Sequence, residues 1–430
     1  MEIRAFRGWH YRPGADGDVS SYIAPPYDVL TADDKEEFVA RSERNIVAVD
    51  LPHVPPGGAG ADEGYREAAE RLAEWQASGV LVRPERPCLY VYEQAYSWGG
   101  REYVRRAMLC GVRGTSLGED VLPHEHTFDG PKADRLKLTE HTRTQLSPIF
   151  GFYHDTSGVV SELLSAAAKG LPDLQGELRG VTERVWIVED DDTIASISTE
   201  LRDRPVFIAD GHHRYTTAVN YRDALREREG ISDDHEANFV LFALVAAEDP
   251  GLIILPTHRI VRGVSTAFSV ATLAAATEGE FDWQRCSLED LDLVDTSAFL
   301  RRYGQGAMAF LDADPAEVWI ARLTDDAAMT RAAPDEVDAW RALDVAVLHK
   351  LIIDRAIDTW RTPELSIDYT PDARAVLAAC NSGRGQLGVC LQATPLAAVE
   401  QIARAGASMP HKSTYFHPKV ATGLVLKPLQ

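Results

Sequence analysis

Apolar residues in this chain come in short blocks separated by polar, glycine and proline clusters. Residues 185–188, 206–209, 239–246 and 252–255 are dense in Val, Ile, Leu, Phe and Ala, which predicts strands. Residues 89–96 and 103–112 are β-rich and flank Ser97-Trp98-Gly99-Gly100, a hairpin pattern. Helical spacing falls between such blocks, at 194–201 and 215–229. Upstream, Thr31 caps a helix running to about residue 42, with Asp33 and Asp34 in its first turn. A second helix covers 62–78; Ala69, Leu72, Ala73 and Gln76 mark its spacing, and Gly79 is placed to end it. Pro25 and Pro26 make 20–28 a rigid loop, 52–60 is a Pro/Gly-rich surface loop, and 113–150 reads as polar and loop-like. Beyond 266 the pattern predicts a helix, strands at 307–311 and 318–323, and a helical region over 334–359. A helix at 371–380, a strand at 386–391 and a helix at 395–405 complete it. The interleaving predicts an α/β or α+β fold. Breaks near 180 and 330 divide the chain into regions 1–180, 181–330 and 331–430.

Composition narrows the function classes. The 430 residues carry a formal charge of −22, which argues against nucleic acid as a partner, since that binding rests on neutralising phosphates. Five scattered cysteines, none in C-x-x-C spacing, point to a reducing compartment rather than a disulfide framework or zinc ribbon. The first residues lack an apolar signal-peptide core, and the longest apolar run, 239–247, is too short to span a bilayer. The expectation is a cytoplasmic protein with no membrane partner; the sequence leaves its oligomeric state open.

Three clusters are dense in chemistry. Residues 205–218, PVFIADGHHRYTTA, read as a strand, a tight turn and a helix. The turn presents Asp210, Gly211, His212, His213 and Arg214 at a helix start, where free N–H groups and the helix dipole attract anions and an arginine fork suits phosphate. Residues 122–135, LPHEHTFDGPKADR, hold His124, Glu125, Thr127, Lys132 and Arg135 in a stretch broken by two prolines and a glycine, which predicts solvated surface or a site, not core. Glu125 is a candidate general base, while Lys132 and Arg135 are placed to neutralise phosphate. Residues 407–423, ASMPHKSTYFHPKVATG, contribute Lys412, Thr414 and Lys419. The close histidine pairs lack metal-site spacing, so no protein-held metal is expected; Mg²⁺ with a nucleotide is, because it asks for only one or two carboxylates. No G-x-S-x-G, Walker A or G-x-G-x-x-G motif occurs.

Four stretches, APPYDV at 24–29, HEHT with PKADR at 124–135, ADGHHRYTTA at 209–218 and MPHKSTYFHPK at 409–419, resemble the bacterial and archaeal family catalogued as domain of unknown function 1015. The DGHHR turn is also similar to the signature of the ParB/sulfiredoxin superfamily, whose members include partition proteins, sulfiredoxins and free-serine kinases. That resemblance implies a mixed α/β, α+β fold with a ParB/sulfiredoxin-like core and further α/β segments on both sides. It also implies nucleotide phosphate at Asp210–Arg214.

Sulfiredoxin chemistry needs a cysteine beside the turn, and the nearest is Cys286. Partition function needs a basic DNA-binding module, and the charge of −22 with no basic stretch after residue 230 argues against one. A nucleotide-dependent small-molecule kinase remains, with ATP or ADP as donor and free serine as the best acceptor. Its expected parts are Asp210, Gly211, Arg214, Lys132 and Arg135 on the phosphates. His212 and His213 would stand by the transferring group, Glu125 would be the base, and His124, Thr127, Lys412, Thr414 and Lys419 would line the substrate. A non-catalytic nucleotide- or phosphometabolite-binding protein and an Mg²⁺-dependent phosphoesterase fit the same residues.

Overall fold

The computed structural model describes residues 1–14, 17–53, 59–127, 129–313 and 317–430, so the middle of the expected 52–60 loop lies outside the described residues. The chain forms two compact units: Met1–Leu252 together with Pro418–Gln430, and Ile253–His417. The breaks expected near 180 and 330 do not coincide with these units. Strands Leu174–Leu178 and Val181–Val188 pair across the first as a hairpin. Arg179 and Gly180 both have positive φ there, as a type I′ turn requires. A helix, Asp326–Ala332, runs across the second.

The first unit is built on a nine-stranded mixed sheet. In chain order its strands are β1 (Ile3–Arg4), β2 (Leu89–Trp98), β3 (Arg101–Arg113), β4 (Val121–Leu122), β5 (Ile149–Tyr153), β6 (Leu174–Leu178), β7 (Val181–Val188), β8 (Val206–Asp210) and β9 (Phe239–Ala246). Their spatial order is β4-β8-β5-β9-β3-β2-β7-β6, with β1 beside β3. Every residue of β9 is buried, which explains its unbroken apolar run: a central strand covered on both faces has no polar side to show. The expected β2–β3 hairpin forms, paired from Tyr90–Leu109 to Trp98–Arg101.

Helices α1 (Ala32–Arg41), α2 (Asp62–Ala77), α3 (Asp129–Thr142), α4 (Val159–Ala167), α5 (Asp191–Leu201) and α6 (His212–Glu229) belong to the same unit. Thr31 caps α1 as expected, in a reciprocal capping box with Asp34. The stretch read as loop contains α3. Gly130 and Pro131 hid it, yet Pro131 sits in the first turn, where a missing N–H costs nothing. Asp134 and Arg135 on α3 are buried, so this segment does pack into the interior.

The second unit carries a six-stranded antiparallel sheet. Its strands are β10 (His258–Val264), β11 (Phe281–Ser287), β12 (Met308–Asp312), β13 (Glu317–Leu323), β14 (Arg361–Thr370) and β15 (Leu387–Cys390), in spatial order β11-β13-β12-β15-β10-β14. The expected helix near 371–380 is Ala373–Asn381 and packs on this sheet. Among the described residues no helix is long and apolar enough to cross a membrane.

Candidate functional site

Strand β8 delivers the turn. It lies between β4 and β5, and its pairing with β5 slips between Ile208 and Asp210. Gly211 then takes φ +97°, a conformation side chains resist, and α6 begins at once with His212, three residues earlier than its spacing predicts. A Cβ at Gly211 would stand 3.1 Å from the Arg214 guanidinium carbon. The first turn of α6 has no acidic residue and no side-chain cap. Its backbone N–H groups therefore keep the positive end of an 18-residue helix available to an anion.

Asp210 organises the turn. Its Oδ2 accepts from Arg214 Nη2 at 2.6 Å and its Oδ1 from Lys419 Nζ. These two cations hold the Asp210 carboxyl well below the usual carboxylate range despite burial. Arg214 also donates to Ser147 Oγ at 2.9 Å and to the Pro148 carbonyl. Only its buried Nε lacks a partner. Arg214 thus ties the turn to the start of β5.

His212 and His124 pack edge to face with ring centroids 4.7 Å apart. The His124 backbone N–H donates to His212 Nε2 at 3.2 Å, so the ring proton of His212 belongs on Nδ1, 3.8 Å from Glu125 Oε2. Glu125 Oε1 is 4.0 Å from His124 Nε2. Burial pushes His124 down to about 4 and His212 well below its ordinary value. At neutral pH His212 offers a hydrogen bond rather than a charge. His213 is half-buried and lowered by burial, with Asp28 and Glu125 opposing that and Lys132 reinforcing it. Asp28, Glu125, Lys132 and His213 are thus electrostatic neighbours at the mouth of α6.

Lys419 reaches the site from the far end of the chain. Its carbonyl accepts from Gln94 Nε2 at 3.1 Å, the Pro418 carbonyl accepts from Arg105, and the Ala421 N–H donates to Tyr92 Oη. Tyr92 and Gln94 in turn donate to the buried Glu183, whose carboxyl burial pushes up to about 7.

Several expected residues are placed differently. Arg135 faces inward, donating to Asp134 Oδ2 at 2.8 and 2.6 Å and to the Asp50 carbonyl at 2.6 Å, with its guanidinium over the Tyr27 ring. It supports the site from within and presents no fork to a phosphate. Thr127 and Lys132 are partly exposed, and Lys132 acts with Glu125 on His213. Lys412 and Thr414 belong to the second unit. Tyr27, Asp28, Asp50 and Ser147 carry no site role in the sequence reading, although Pro25-Pro26 beside Tyr27 and Asp28 marked a fixed loop. A narrow cavity of about 50 Å³ behind the turn is lined by Tyr27, Asp50, Arg135, Arg214 and Thr217. No group of three metal-ligating side chains occurs among the described residues. Glu125 and Asp28 fit the lesser demand of a nucleotide-borne Mg²⁺, one or two carboxylates.

A family model described as "Protein of unknown function (DUF1015)" matches residues 3–346. No curated protein matches the chain. Among solved structures, a free serine kinase in complex with AMP is similar at 10% identity, covering 74% of this chain and 92% of that chain, with a TM-score of 0.34. A conserved hypothetical protein from Pyrococcus furiosus is similar at 11% identity, covering 75% and 95%, with a TM-score of 0.34. C-terminally truncated SbnI from Staphylococcus aureus is similar at 12% identity, covering 75% and 87%, with a TM-score of 0.35.

Proposed function

This chain belongs to the DUF1015 family, and we propose that its DGHHR site makes it a nucleotide-dependent kinase of a small hydroxyl compound, free L-serine being the best single acceptor. One observation carries the reading: a carboxylate, Glu125, stands against two neutral histidines beside an uncapped helix N-terminus. Phosphoryl transfer asks mainly for positioning and charge neutralisation, and these groups supply both.

The phosphates of ATP or ADP lie on the N–H groups of His212 and His213, with Lys132 at their flank. Arg214 and Lys419, both bound to Asp210, hold that turn rigid. Mg²⁺, when bound with the nucleotide, would supply further neutralisation, and Asp28 would hold it. The acceptor hydroxyl gives its proton to Glu125 while its oxygen bonds the terminal phosphorus. The bond from that phosphorus to the bridging oxygen breaks, and the shortened nucleotide leaves with the electron pair. Glu125 Oε2 stands 3.8 Å from His212 Nδ1, and Thr127 offers a hydroxyl to the acceptor.

Glu125→Gln separates this reading from its rival. A base role predicts that turnover falls about 10²–10⁴-fold while nucleotide affinity stays within a few-fold. Equal losses in both contradict it. A binding protein without turnover is the second reading, favoured by the pairing of Arg214 and Lys419 with Asp210, which leaves them little charge for a transferring group. It predicts nucleotide binding with no product from the wild type.

A further inference from the structure

The segment that delivers Lys419 is held by side chains rather than by a sheet ladder. Residues 418–421 form no strand or helix. The Pro418 carbonyl accepts from Arg105 Nη2 at 2.6 Å and the Lys419 carbonyl from Gln94 Nε2 at 3.1 Å, while the Ala421 N–H donates to Tyr92 Oη at 3.1 Å. One residue on, Thr422 Oγ1 donates to Ser147 Oγ at 3.0 Å, the same oxygen that accepts from Arg214. Both cations on Asp210 are therefore tied to 418–422, Lys419 as a member and Arg214 through Ser147.

The register of the sheet builds the holder. Gln94 on β2 lies opposite Arg105 on β3 and Glu183 on β7, so the three stand in one row across three strands. Gln94 Oε1 accepts from Arg105, and Gln94 Nε2 donates to Glu183 Oε1 at 3.2 Å. Tyr92, two residues earlier on the same face of β2, donates to Glu183 Oε2 at 2.7 Å. Tyr92, Gln94, Arg105 and Glu183 are each 1% exposed, so water cannot replace a missing partner. With a cation on one side and a carboxylate on the other, the Gln94 amide has one satisfied orientation: its oxygen toward Arg105 and its NH₂ toward Glu183. That NH₂ has one proton for Glu183 and one for the Lys419 carbonyl. An apolar bed would hold a chain segment without the cost of burying two charges. This row instead fixes which carbonyl lies where.

We propose that Gln94, oriented by Glu183 and Arg105, is a positioning residue for the DGHHR site: by gripping the Lys419 carbonyl it sets the reach of the Lys419 ammonium to Asp210. The proposal rests on the reading of that turn as the working site. Exchange at the turn is measured without nucleotide, so absence of phosphoserine would strike the proposed function and leave the exchange result standing.

Hydrogen–deuterium exchange on the full chain at pH 7.5 reads the turn in peptides over 206–214 and the sheet in peptides over 239–246. Strands β5, β9 and β3 lie between β8 and β2, so a defect that spreads through the sheet reaches β9 before the turn. Gln94→Met removes the grip and is expected to quicken the turn about tenfold or more. The swap Gln94→Glu/Glu183→Gln gives Arg105 and Tyr92 their acceptors and keeps one buried carboxylate, but sets that carboxylate against the Lys419 carbonyl. It is expected to return 239–246 to within about twofold of the wild type while 206–214 stays about tenfold faster. Tyr92→Phe drops the acceptor of the Ala421 N–H and keeps the ring; it is expected to quicken 206–214 several-fold more than 239–246. Should Gln94→Met not fold, the swap and Tyr92→Phe carry the test. Equal quickening of the two peptides in every variant, or recovery of both in the swap, shows a merely structural role and overturns the proposal. Turn exchange that no variant alters overturns it as well.

Discussion

Replacing Asp210 with asparagine removes the one negative charge on which two buried cations converge. Asp210 is 14% exposed at its side chain, Lys419 16% and Arg214 8%, so solvent does little to replace it. The amide oxygen can still accept from one cation, but the amide N–H₂ then faces the other. Removing one partner of a buried ion pair costs about 3–5 kcal/mol. Lys419 retains some solvent contact, so the lower figure applies. Hydrogen–deuterium exchange reads the loss locally, on peptides covering 206–229, without assuming that the two units unfold together. A loss of about 3 kcal/mol speeds exchange there by about 100- to 200-fold. Adding Lys419→Met to Asp210→Asn removes the cation that has lost its Asp210 contact and recovers part of the protection. Acceleration below about fivefold, or no recovery in the double variant, refutes the view that Asp210 clamps the turn.

Three further outcomes follow from the same geometry. Gly211→Ala forces an alanine to φ +97° against Arg214, and denaturant titration is expected to show a loss of about 1–3 kcal/mol; a neutral result contradicts the strained turn. His124 titrates near 4 when folded against about 6.5 unfolded, so the unfolded state binds more protons between those values and stability falls as pH drops from 6.5 toward 4. At pH 5 this amounts to about 2 kcal/mol, and His124→Gln should lose less stability than the wild type between pH 7 and pH 5 by about that amount; equal losses contradict it. Thr31→Ala removes the α1 cap and should cost about 1 kcal/mol, measured by thermal unfolding, without altering phosphate binding.

Much of the fold was legible where local physics decides the outcome. The apolar run of β9, the Trp98–Gly99–Gly100–Arg101 hairpin and the Thr31 cap each follow from neighbouring residues. The strand–turn–helix at Asp210–Arg214 was legible for the same reason, since Asp-Gly after an apolar run has few other uses. Helix α3 was not. Its interior-facing groups include Asp134 and Arg135, a charged pair that reads as surface until Asp50 and Tyr65 are seen to satisfy it. The partnership of Asp210 with Lys419, 209 residues apart, leaves no local trace. Nor does the difference between Arg214, aimed back at Ser147, and a fork aimed at a ligand. Arginine composition announces charge, and only the fold says where that charge is spent.

The central claim is that this site transfers phosphate to a free hydroxyl amino acid. The most direct measurement incubates the purified chain with Mg²⁺, ATP or ADP and L-serine and analyses the products by mass spectrometry, with an acceptor-free control and Glu125→Gln alongside. The account predicts O-phosphoserine in step with nucleotide consumption, absent without serine and nearly absent in the variant. Nucleotide that binds without any phosphorylated product, or inorganic phosphate released equally with and without serine, contradicts it.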